Sequence, residues 1–365
     1  MPIIDSNQQL QHVRARIDIL DEQIQQLINE RAGLACEIAQ IKQALGLGES
    51  YFRPEREAEV LRRVLARNHG PISGQEMARL FREIMSACLA LEAPLTVAYL
   101  GPEGTFTEDA TLKHFGRSVK TRSVITISEI FREVEADIAD YGVVPVENST
   151  EGAVTSTLDQ FLISPLQICG EVELRIHHHL LSKNEMISEI KRLYAHQQTL
   201  AQCQGWLNTH MLGCEHIAVS SNAEAARRVR NELDGCAAIA SSRAQEIYGL
   251  QLLAANIEDE PRNTTRFLVI GSQSVVSSGN DKTSLLISGP NRPGLLYNLL
   301  RPLVDNGISM TRLESRPSRR GLWEYVFFID IEGHQNDSKV AIALAALKEQ
   351  ASFLKLLGSY PRAVI

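Results

Sequence analysis

The sequence predicts three domains of different classes: an all-α domain over residues 1–93, a two-lobed α/β domain over 95–272 and an α+β domain over 282–365. Three observations support this prediction. At 365 residues the chain is longer than one ordinary hydrophobic core supports. Its hydrophobic pattern changes near Pro94 from helical periodicity to alternating strands and helices. It changes again after the polar stretch SQSVVSSGNDK.

The composition narrows the class of protein. Apolar residues make up 44% of the chain and charged residues 22%, which is typical of soluble globular proteins. A net charge of -7 argues against nucleic acid as the main partner. The start, MPIIDSNQQL, has no basic segment followed by an apolar stretch, and no apolar run approaches the roughly 18 residues of a membrane span. With six cysteines scattered without C-x-x-C spacing, these features predict a cytoplasmic protein that engages neither nucleic acid nor membranes.

The first predicted element is a long helix with an apolar seam. Its apolar residues follow a 3,4 alternation typical of coiled coils, namely Leu10, Val13, Ile17, Leu20, Ile24, Leu27, Leu34, Ile38, Ile41 and Leu45. About 36 residues at about 1.5 Å each extend roughly 54 Å. Because a single domain of this size cannot cover such a seam, we expect a homodimer or larger homo-oligomer in which two chains bury each other's seams.

Charged residues lie on the inward faces of this helical region. Arg31 occupies a seam position, where a guanidinium is unfavourable without an anion, and Lys42 projects from nearly the same face three turns later. Arg56 and Glu57 lie on a second predicted helix, and Glu92 ends the apolar stripe of a third, where burial would raise its pKa. A solvated basic surface is the alternative for each residue alone. The concentration of these charges favours a site for a small dianion.

The segments VRARIDILDEQIQQLINER, PERE and FREIMSACLALE, with Lys42, resemble an all-helical chorismate mutase domain. The resemblance implies an intertwined dimer that rearranges chorismate to prephenate without a cofactor, by positioning and electrostatics. It implies that Lys42 stabilises charge on the breaking ether oxygen, and that Glu92, where many relatives have Gln, donates to the same oxygen when protonated. The other matching positions are Arg14 from the second chain, Arg31 and Arg56 on the substrate carboxylates, Glu57 on the ring hydroxyl, and Arg53 and Cys88, which depart from the commonest pattern.

The middle of the chain alternates between strand and helix patterns. The predicted strands are TVAYL, YGVVPV, LQICGEVEL, LYAHQ, HIAVS, CAAIA and TRFLVI, and helical patterns begin near Thr107, Ile127, Val154, Leu200, Asn222 and Ser241. This alternation indicates α/β layers with mainly parallel sheets, whose ligands lie beyond the strand ends. The number of elements favours two lobes with a cleft between them.

Polar motifs follow four of these strands: GPEGTFT, VPVENS, HQQTLAQ and NTTRF. Any one of them could be a turn or a helix cap. GPEGT lacks the lysine and the spacing of a phosphate loop, and the glycosylation pattern Asn263-Thr-Thr has no role in a cytoplasmic protein.

Together, these motifs resemble prephenate dehydratase. The resemblance implies a fold similar to periplasmic binding proteins and the conversion of prephenate to phenylpyruvate with loss of carbon dioxide and water. It implies that Thr265 is the acid, which requires a dry site because a threonine hydroxyl is a weak acid, and that Arg266 anchors a carboxylate. The implied cleft residues are Thr105, Thr107, Glu147, Asn148 and Gln202. Arogenate remains an alternative substrate, and Ala195 stands where relatives have serine.

The run RIHHH raises the question of a metal site, because we expect His177 and His179 to share a strand face. No further ligand stands at a convincing spacing. We therefore expect packing at a strand or lobe linker, and we predict neither a metal nor a cofactor.

The last segment shows the order strand, helix, strand, strand, helix, strand, which is the ferredoxin-like βαββαβ pattern. PGLL at a helix start and ESRP after a strand resemble an ACT regulatory domain, with Leu295 in place of the usual alanine. The resemblance implies phenylalanine bound between two such domains, near a helix N-terminus, with inhibition by this end product. The implied contacts are Asn291, Pro293, Gly294, Leu295, Leu296, Glu314, Ser315 and Arg316.

The three resemblances predict a bifunctional enzyme of phenylalanine biosynthesis whose small-molecule partners are chorismate, prephenate and phenylalanine. A binding or sensor protein is the competing class, since two-lobed clefts and ACT modules also occur in proteins that only bind. The cations of the helical domain and Thr265 favour the enzyme.

Overall fold

A computed structural model describes residues 2–45, 52–232, 234–289, 292–317 and 325–365. The N-terminal region is helical, with α1 (Pro2–Ala44), α2 (Pro54–Arg67) and α3 (Gly74–Glu92). Proline suits the first turn of α2 because its missing N–H would have no intrahelical partner there. Ser73 caps α3 by accepting a hydrogen bond from the Glu76 N–H. The seam of α1 lies open along its length, with Leu20 53% and Ile24 55% exposed.

The two-lobed α/β region follows. Its first lobe contains β1 (Thr96–Leu100), α4 (Phe106–Phe115), β2 (Lys120–Val124), α5 (Ile127–Glu135), β3 (Tyr141–Asn148), β4 (Gly152–Ala153), α6 (Thr155–Ile163) and β5 (Gln167–Arg175). The second lobe contains β6 (His179–Ser182), β7 (Arg192–His196), α7 (Gln197–Gln202), α8 (Gln204–His210), β8 (Glu215–Val219), α9 (Asn222–Asn231), β9 (Cys236–Ala240), α10 (Ser242–Tyr248) and β10 (Gln251–Ala254). The chain then returns to the first lobe as β11 (Thr264–Gly271).

Each lobe is built on one mixed sheet, in the orders β2-β1-β3-β11-β5 and β10-β6-β9-β7-β8. In the first sheet β1 is parallel to β2 and β3, whereas the returning β11 is antiparallel to β3 and β5. The prediction of mainly parallel sheets therefore holds only for the part of each sheet built by strand–helix–strand units.

The C-terminal region contains β12 (Asp281–Ser288), α11 (Leu295–Asp305), β13 (Met310–Pro317), β14 (Tyr325–Glu332), α12 (Ser338–Gln350) and β15 (Phe353–Pro361). Its sheet has the order β13-β14-β12-β15 with antiparallel neighbours. The predicted βαββαβ order and the predicted sequence of fold classes are confirmed.

The C-terminal sheet and the first lobe share one hydrophobic core. Phe328 and Leu357 from the former pack in the same cluster as Ile130 and Ile168 from the latter. The backbones also approach closely, because a Cβ added at Gly358 (φ +145°) would lie 2.4 Å from the Ile168 carbonyl oxygen. Glycine is therefore required where β15 crosses β5. Among the described helices, none is both long enough and apolar enough to span a membrane.

Candidate active sites

The centre of the cleft is a hydrogen-bonded group on neighbouring strands. Thr265 on β11 pairs in register with Asn148 on β3. The Asn148 Nδ2 amide donates to Thr265 Oγ1 at 2.8 Å and to Asn263 Oδ1 at 2.8 Å. Asn148 Oδ1 accepts from the backbone N–H groups of Thr150, at 3.0 Å, and Glu151, at 3.2 Å.

These backbone donors fix the orientation of the Asn148 amide, because an N–H group can only donate. Asn148 must therefore donate to Thr265, which occupies an acceptor position of the threonine oxygen. The Thr265 hydroxyl can therefore donate its own proton to another group. The hydrogen bond from Asn148 stabilises the negative charge that develops on Oγ1 as this proton leaves.

Gln202 reaches this group from the second lobe. Its Nε2 donates to Glu151 Oε1 at 2.9 Å, and its Oε1 lies 2.9 Å from His178 Nε2. Burial lowers the pKa of His178, which favours the neutral ring. Because Gln202 Oε1 can only accept a hydrogen bond, the ring hydrogen lies on Nε2. The carboxylate at one end and the imidazole at the other orient the Gln202 amide across the cleft.

The histidine run does not form one strand face. Residues 176–178 lie between β5 and β6, so the expectation that His177 and His179 share a strand is wrong. His177 Nδ1 contacts Glu258 Oε1 at 2.7 Å, whereas His179 Nε2 contacts Ser242 Oγ at 2.8 Å. Within the described residues no group of three or more His, Cys, Asp or Glu side chains is arranged to hold a metal ion.

The GPEGTFT loop lies between β1 and α4 in the first lobe, and it contacts the second lobe. Thr105 Oγ1 donates to the Leu100 carbonyl at 2.9 Å, and Thr107 is buried. From the second lobe, Ser241 Oγ donates to the Gly104 carbonyl at 2.9 Å. Thr105 thus holds the loop to the end of β1, with its oxygen still able to accept a hydrogen bond.

Two predicted cleft residues face away from the cleft. Arg266 contacts Glu171 at 2.9 Å and Asp330 at 2.5 Å, and Glu147 lies 3.0 Å from Arg312 Nε. The expectation that Arg266 anchors a substrate carboxylate and that Glu147 lines the cleft needs correction. Successive side chains of a strand point to opposite faces of a sheet, so the neighbours of Thr265 and Asn148 point into the contact with the C-terminal domain.

In the helical domain, Arg31, Lys42 and Glu92 form one electrostatic group. Burial raises the pKa of the Glu92 carboxyl, and the positive charges of Lys42 and Arg31 oppose that shift. The end of α3 therefore lies near Arg31 and Lys42 of α1.

The remaining predicted residues of this domain are Glu57, Arg53, Arg56, Cys88 and Arg14. The half-buried Glu57 carboxylate accepts a hydrogen bond from Arg82 Nε at 3.0 Å, and Arg82 also donates to the Lys113 carbonyl of the two-lobed domain. The expected contact of Glu57 with a ring hydroxyl is therefore corrected: α2 turns this residue towards the domain junction. Arg53 pairs with Glu55 and Arg56 with Glu59 at the surface, Cys88 is buried and Arg14 is exposed on α1.

The N-terminus of α11 borders an open pocket of about 440 Å³ in the C-terminal domain. Gly294 starts this helix with φ +82°, a conformation that glycine adopts without strain. Pro293 and Leu295 line the pocket, together with Arg292, Asn298, Leu299, Arg301 and Gln350. Leu296 packs on the domain core, and Glu314 and Ser315 lie on the edge strand β13.

Arg316, which was expected at the phenylalanine ligand, instead contacts the two-lobed domain. Its guanidinium donates to Thr155 at 2.9 Å and to Asp159 at 3.1 Å, both on α6. The expected contact of Arg316 with the ligand is therefore corrected to a contact between domains. Asn291 lies outside the described residues.

Family models match all three regions: Chorismate mutase type II at residues 13–93, Prephenate dehydratase at 97–275 and ACT domain at 283–349. The bifunctional chorismate mutase/prephenate dehydratases of Stutzerimonas stutzeri and Pseudomonas aeruginosa are 55% and 54% identical over 98% of this chain and 99% of theirs. The crystal structure of prephenate dehydratase in complex with L-Phe from Arthrobacter aurescens is 35% identical. It aligns with a TM-score of 0.69 over 74% of this chain and 90% of its own.

Proposed function

The chain belongs to the family of bifunctional chorismate mutases/prephenate dehydratases, and we propose from its site geometry which residues carry the two reactions. It is an enzyme that rearranges chorismate to prephenate and then converts prephenate to phenylpyruvate. The observation that supports the assignment of the second reaction most directly is the hydrogen bond that Asn148 donates to Thr265.

In the dehydratase reaction Thr265 is the proton donor. Its proton passes to the leaving ring hydroxyl as the C–O bond breaks, the electrons of the ring–carboxylate bond enter the ring, and carbon dioxide and water depart. Water then restores the Thr265 proton. Asn148 supports the transient negative charge on Oγ1, and Gln202, held by Glu151 and His178, supplies an oriented amide. Thr105, which precedes α4, and Thr107, in the first turn of α4, border the site.

In the mutase reaction Lys42 and protonated Glu92 meet the ether oxygen of chorismate, and Arg31 holds a carboxylate. No proton is transferred overall, so the acceleration comes from positioning and from charges placed where negative charge develops. The raised pKa of Glu92 supports its role as a donor. Arg14 of a second chain, with Arg56, Arg53 and Cys88, completes the proposed substrate set.

We propose a homodimer or larger homo-oligomer, supported by the exposed seam of α1. Apolar side chains as exposed as Leu20, Ile24 and Leu27 along one 43-residue helix form a continuous surface of the kind that another chain covers. We place the enzyme in the cytoplasm, where its six free cysteines would stay reduced.

We propose that phenylalanine binds at the N-terminus of α11 and inhibits the dehydratase. The relative crystallised with L-Phe and the ACT match support this proposal. The pocket volume of about 440 Å³ falls in the range of about 300–1,000 Å³ usual for small-molecule sites. Helix N–H groups there suit the amino acid carboxylate.

One coupled assay tests both reactions. Chorismate is supplied to the purified full-length chain, and its loss of absorbance and the appearance of phenylpyruvate are followed with and without phenylalanine. Thr265→Val should abolish phenylpyruvate formation and leave chorismate consumption unchanged. Retained dehydratase turnover in that variant would assign the acid to another residue. Replacing prephenate with arogenate in the second step measures the competing substrate.

A further inference from the structure

Two adjacent rungs of the β3–β11 ladder face opposite sides of the first sheet. Thr265 and Asn148 form one rung, and their side chains meet at the cleft. Arg266 and Glu147 form the next rung, and their side chains reach the C-terminal domain. Thr265 and Asn148 are therefore each bonded along the chain to a residue that contacts the C-terminal domain.

The contact around Arg266 is a buried ionic network. The Arg266 guanidinium contacts Glu171 at 2.9 Å, Asp330 at 2.5 Å and the Tyr360 hydroxyl at 2.9 Å. Lys282 Nζ binds the same Glu171 carboxylate at 2.8 Å. The Glu171 side chain is only 1% exposed and that of Asp330 7%.

Burial makes this network a persistent contact. Each charge has given up its water shell, so a rearrangement that removed one partner would leave an uncompensated charge inside the protein. The neighbouring negative groups hold the pKa of Arg266 above its already high ordinary value. The end of β11 therefore follows the position of β14 and β15 closely.

A β-bulge sets these two rungs apart from the rest of the ladder. The register passes from Arg266 opposite Glu147 to Phe267 opposite Pro145, which leaves Val146 as an additional residue on β3. Bulges relieve the regular pairing and allow a strand end to be re-aimed. The bulge lies on β3, whereas β11 pairs with β5 without interruption from Thr264 to Val269. The Glu147–Asn148 end of β3 can thus shift with the C-terminal sheet, to which the Glu147–Arg312 pair connects it.

We propose that Arg266 is a positioning residue, which with the Glu147–Arg312 pair ties the Thr265–Asn148 rung to the regulatory sheet and carries regulation into the dehydratase centre. This inference rests on the proposed roles of Thr265 and of phenylalanine in the C-terminal domain. Small displacements suffice, because a shift of about 1 Å at reacting groups can change a rate by about two orders of magnitude.

The test uses the full-length enzyme with Asp330→Asn, which keeps the side-chain shape and removes one of the two carboxylates on Arg266. The matched control is Glu332→Gln, which removes an exposed carboxylate two residues further along β14, where it pairs with Arg362. We expect Asp330→Asn to lower dehydratase kcat at least tenfold with KM for prephenate changed less than threefold. Mutase turnover should stay the same in both variants, and the control should keep wild-type kcat.

The regulatory part of the inference has its own readout. Calorimetry measures phenylalanine binding, and the dehydratase assay measures the maximal inhibition at saturating phenylalanine. Asp330→Asn should bind phenylalanine but show a smaller maximal inhibition. Tyr360→Phe removes one hydrogen bond to Arg266 and the contact of the hydroxyl with Ser284 Oγ, and it leaves both carboxylates on Arg266. It should show both effects more weakly, and it replaces Asp330→Asn if that variant does not fold.

Wild-type kcat together with wild-type inhibition in Asp330→Asn and Tyr360→Phe would overturn the proposal. A loss of kcat in the Glu332→Gln control as large as that in Asp330→Asn would also overturn it. A lowered kcat with unchanged maximal inhibition would also overturn it, because regulation would then travel by another route. A wild-type enzyme without prephenate turnover or without phenylalanine binding would instead refute the proposed function.

Discussion

The direction of the hydrogen bond between Asn148 and Thr265 gives the sharpest prediction. Asn148→Asp keeps the side-chain shape and keeps an oxygen for the backbone N–H groups of Thr150 and Glu151. It replaces the donor that faces Thr265 with an acceptor. The Thr265 proton then turns towards the new carboxylate, away from the leaving hydroxyl.

The size of the effect follows from the bond that must be broken before proton transfer. A hydrogen bond to a charged group contributes about 1.5–3 kcal/mol. Since each 1.36 kcal/mol changes a rate tenfold, kcat for prephenate should fall by about 10- to 150-fold. As the pH falls through the pKa of the introduced carboxyl, the protonated acid can donate to Thr265 again, so part of the lost activity should return.

The assay follows phenylpyruvate formation from prephenate over a range of pH, with chorismate consumption by the same sample as the control for folding. Asn148→Gln, which keeps both amide groups but displaces them, is the matched variant and should show no recovery at low pH. Wild-type kcat in Asn148→Asp would refute the assignment of Asn148 as the donor to Thr265. A loss without recovery at low pH would refute the reversal of the hydrogen bond as its cause.

Four further predictions concern other parts of the chain. Because the Glu92 pKa is raised and its protonated form is the donor, mutase kcat should fall as pH rises through that pKa, and Glu92→Gln should give a flat profile; an unchanged profile refutes the role. Leu20→Glu places a charge on the α1 seam and should cost about 3 kcal/mol per chain on association, which sedimentation at several concentrations would detect as dissociation with loss of mutase turnover. Gly294→Val strains a residue with φ +82° and should weaken phenylalanine binding at least tenfold by calorimetry while uninhibited turnover persists. Burial, with the neighbouring Glu108 charge, raises the pKa of Asp109 to about 7. The unfolded chain ionises this group first as pH rises, so stability falls between about pH 4 and 7, and Asp109→Asn should be more stable than wild type by about 2–4 kcal/mol at pH 9 and equal to it at pH 4 in urea unfolding.

Patterns that depend on local periodicity were predictable from the sequence. The seam of α1, the start of α2 at Pro54 and the βαββαβ order each follow from residue spacing and turn chemistry. The strand β2 was missed because its KTRSV sequence is mostly exposed and polar, without an apolar run.

The site predictions failed where two adjacent residues were assigned to one face. Thr265 and Arg266 are neighbours on a strand, so a cleft that receives the first cannot receive the second. The alternation of side chains was present in the sequence and could have separated them. Their long-range partners, Asp330 and Arg312, lie in another domain, and no local pattern indicates them.

Contacts between lobes and between domains could not be predicted from local sequence patterns. Asn263 could be found as the residue two positions before Thr265, but His178 and Glu151 join the site only because the lobes meet. Glu57 pairs with Arg82 rather than facing the proposed mutase site, because α2 also packs against the rest of the protein.

The core shared by the C-terminal sheet and the first lobe defines the unit that engineering can exchange. Deleting the chain after residue 280 would expose Ile168 and remove Asp330 from Arg266 and Lys282 from Glu171, so such a truncation reports on folding before it reports on phenylalanine. A chimera that exchanges regulation between relatives would have to carry both sides of this contact. The domain that responds to phenylalanine and the strand β11 that carries Thr265 would therefore have to be exchanged together.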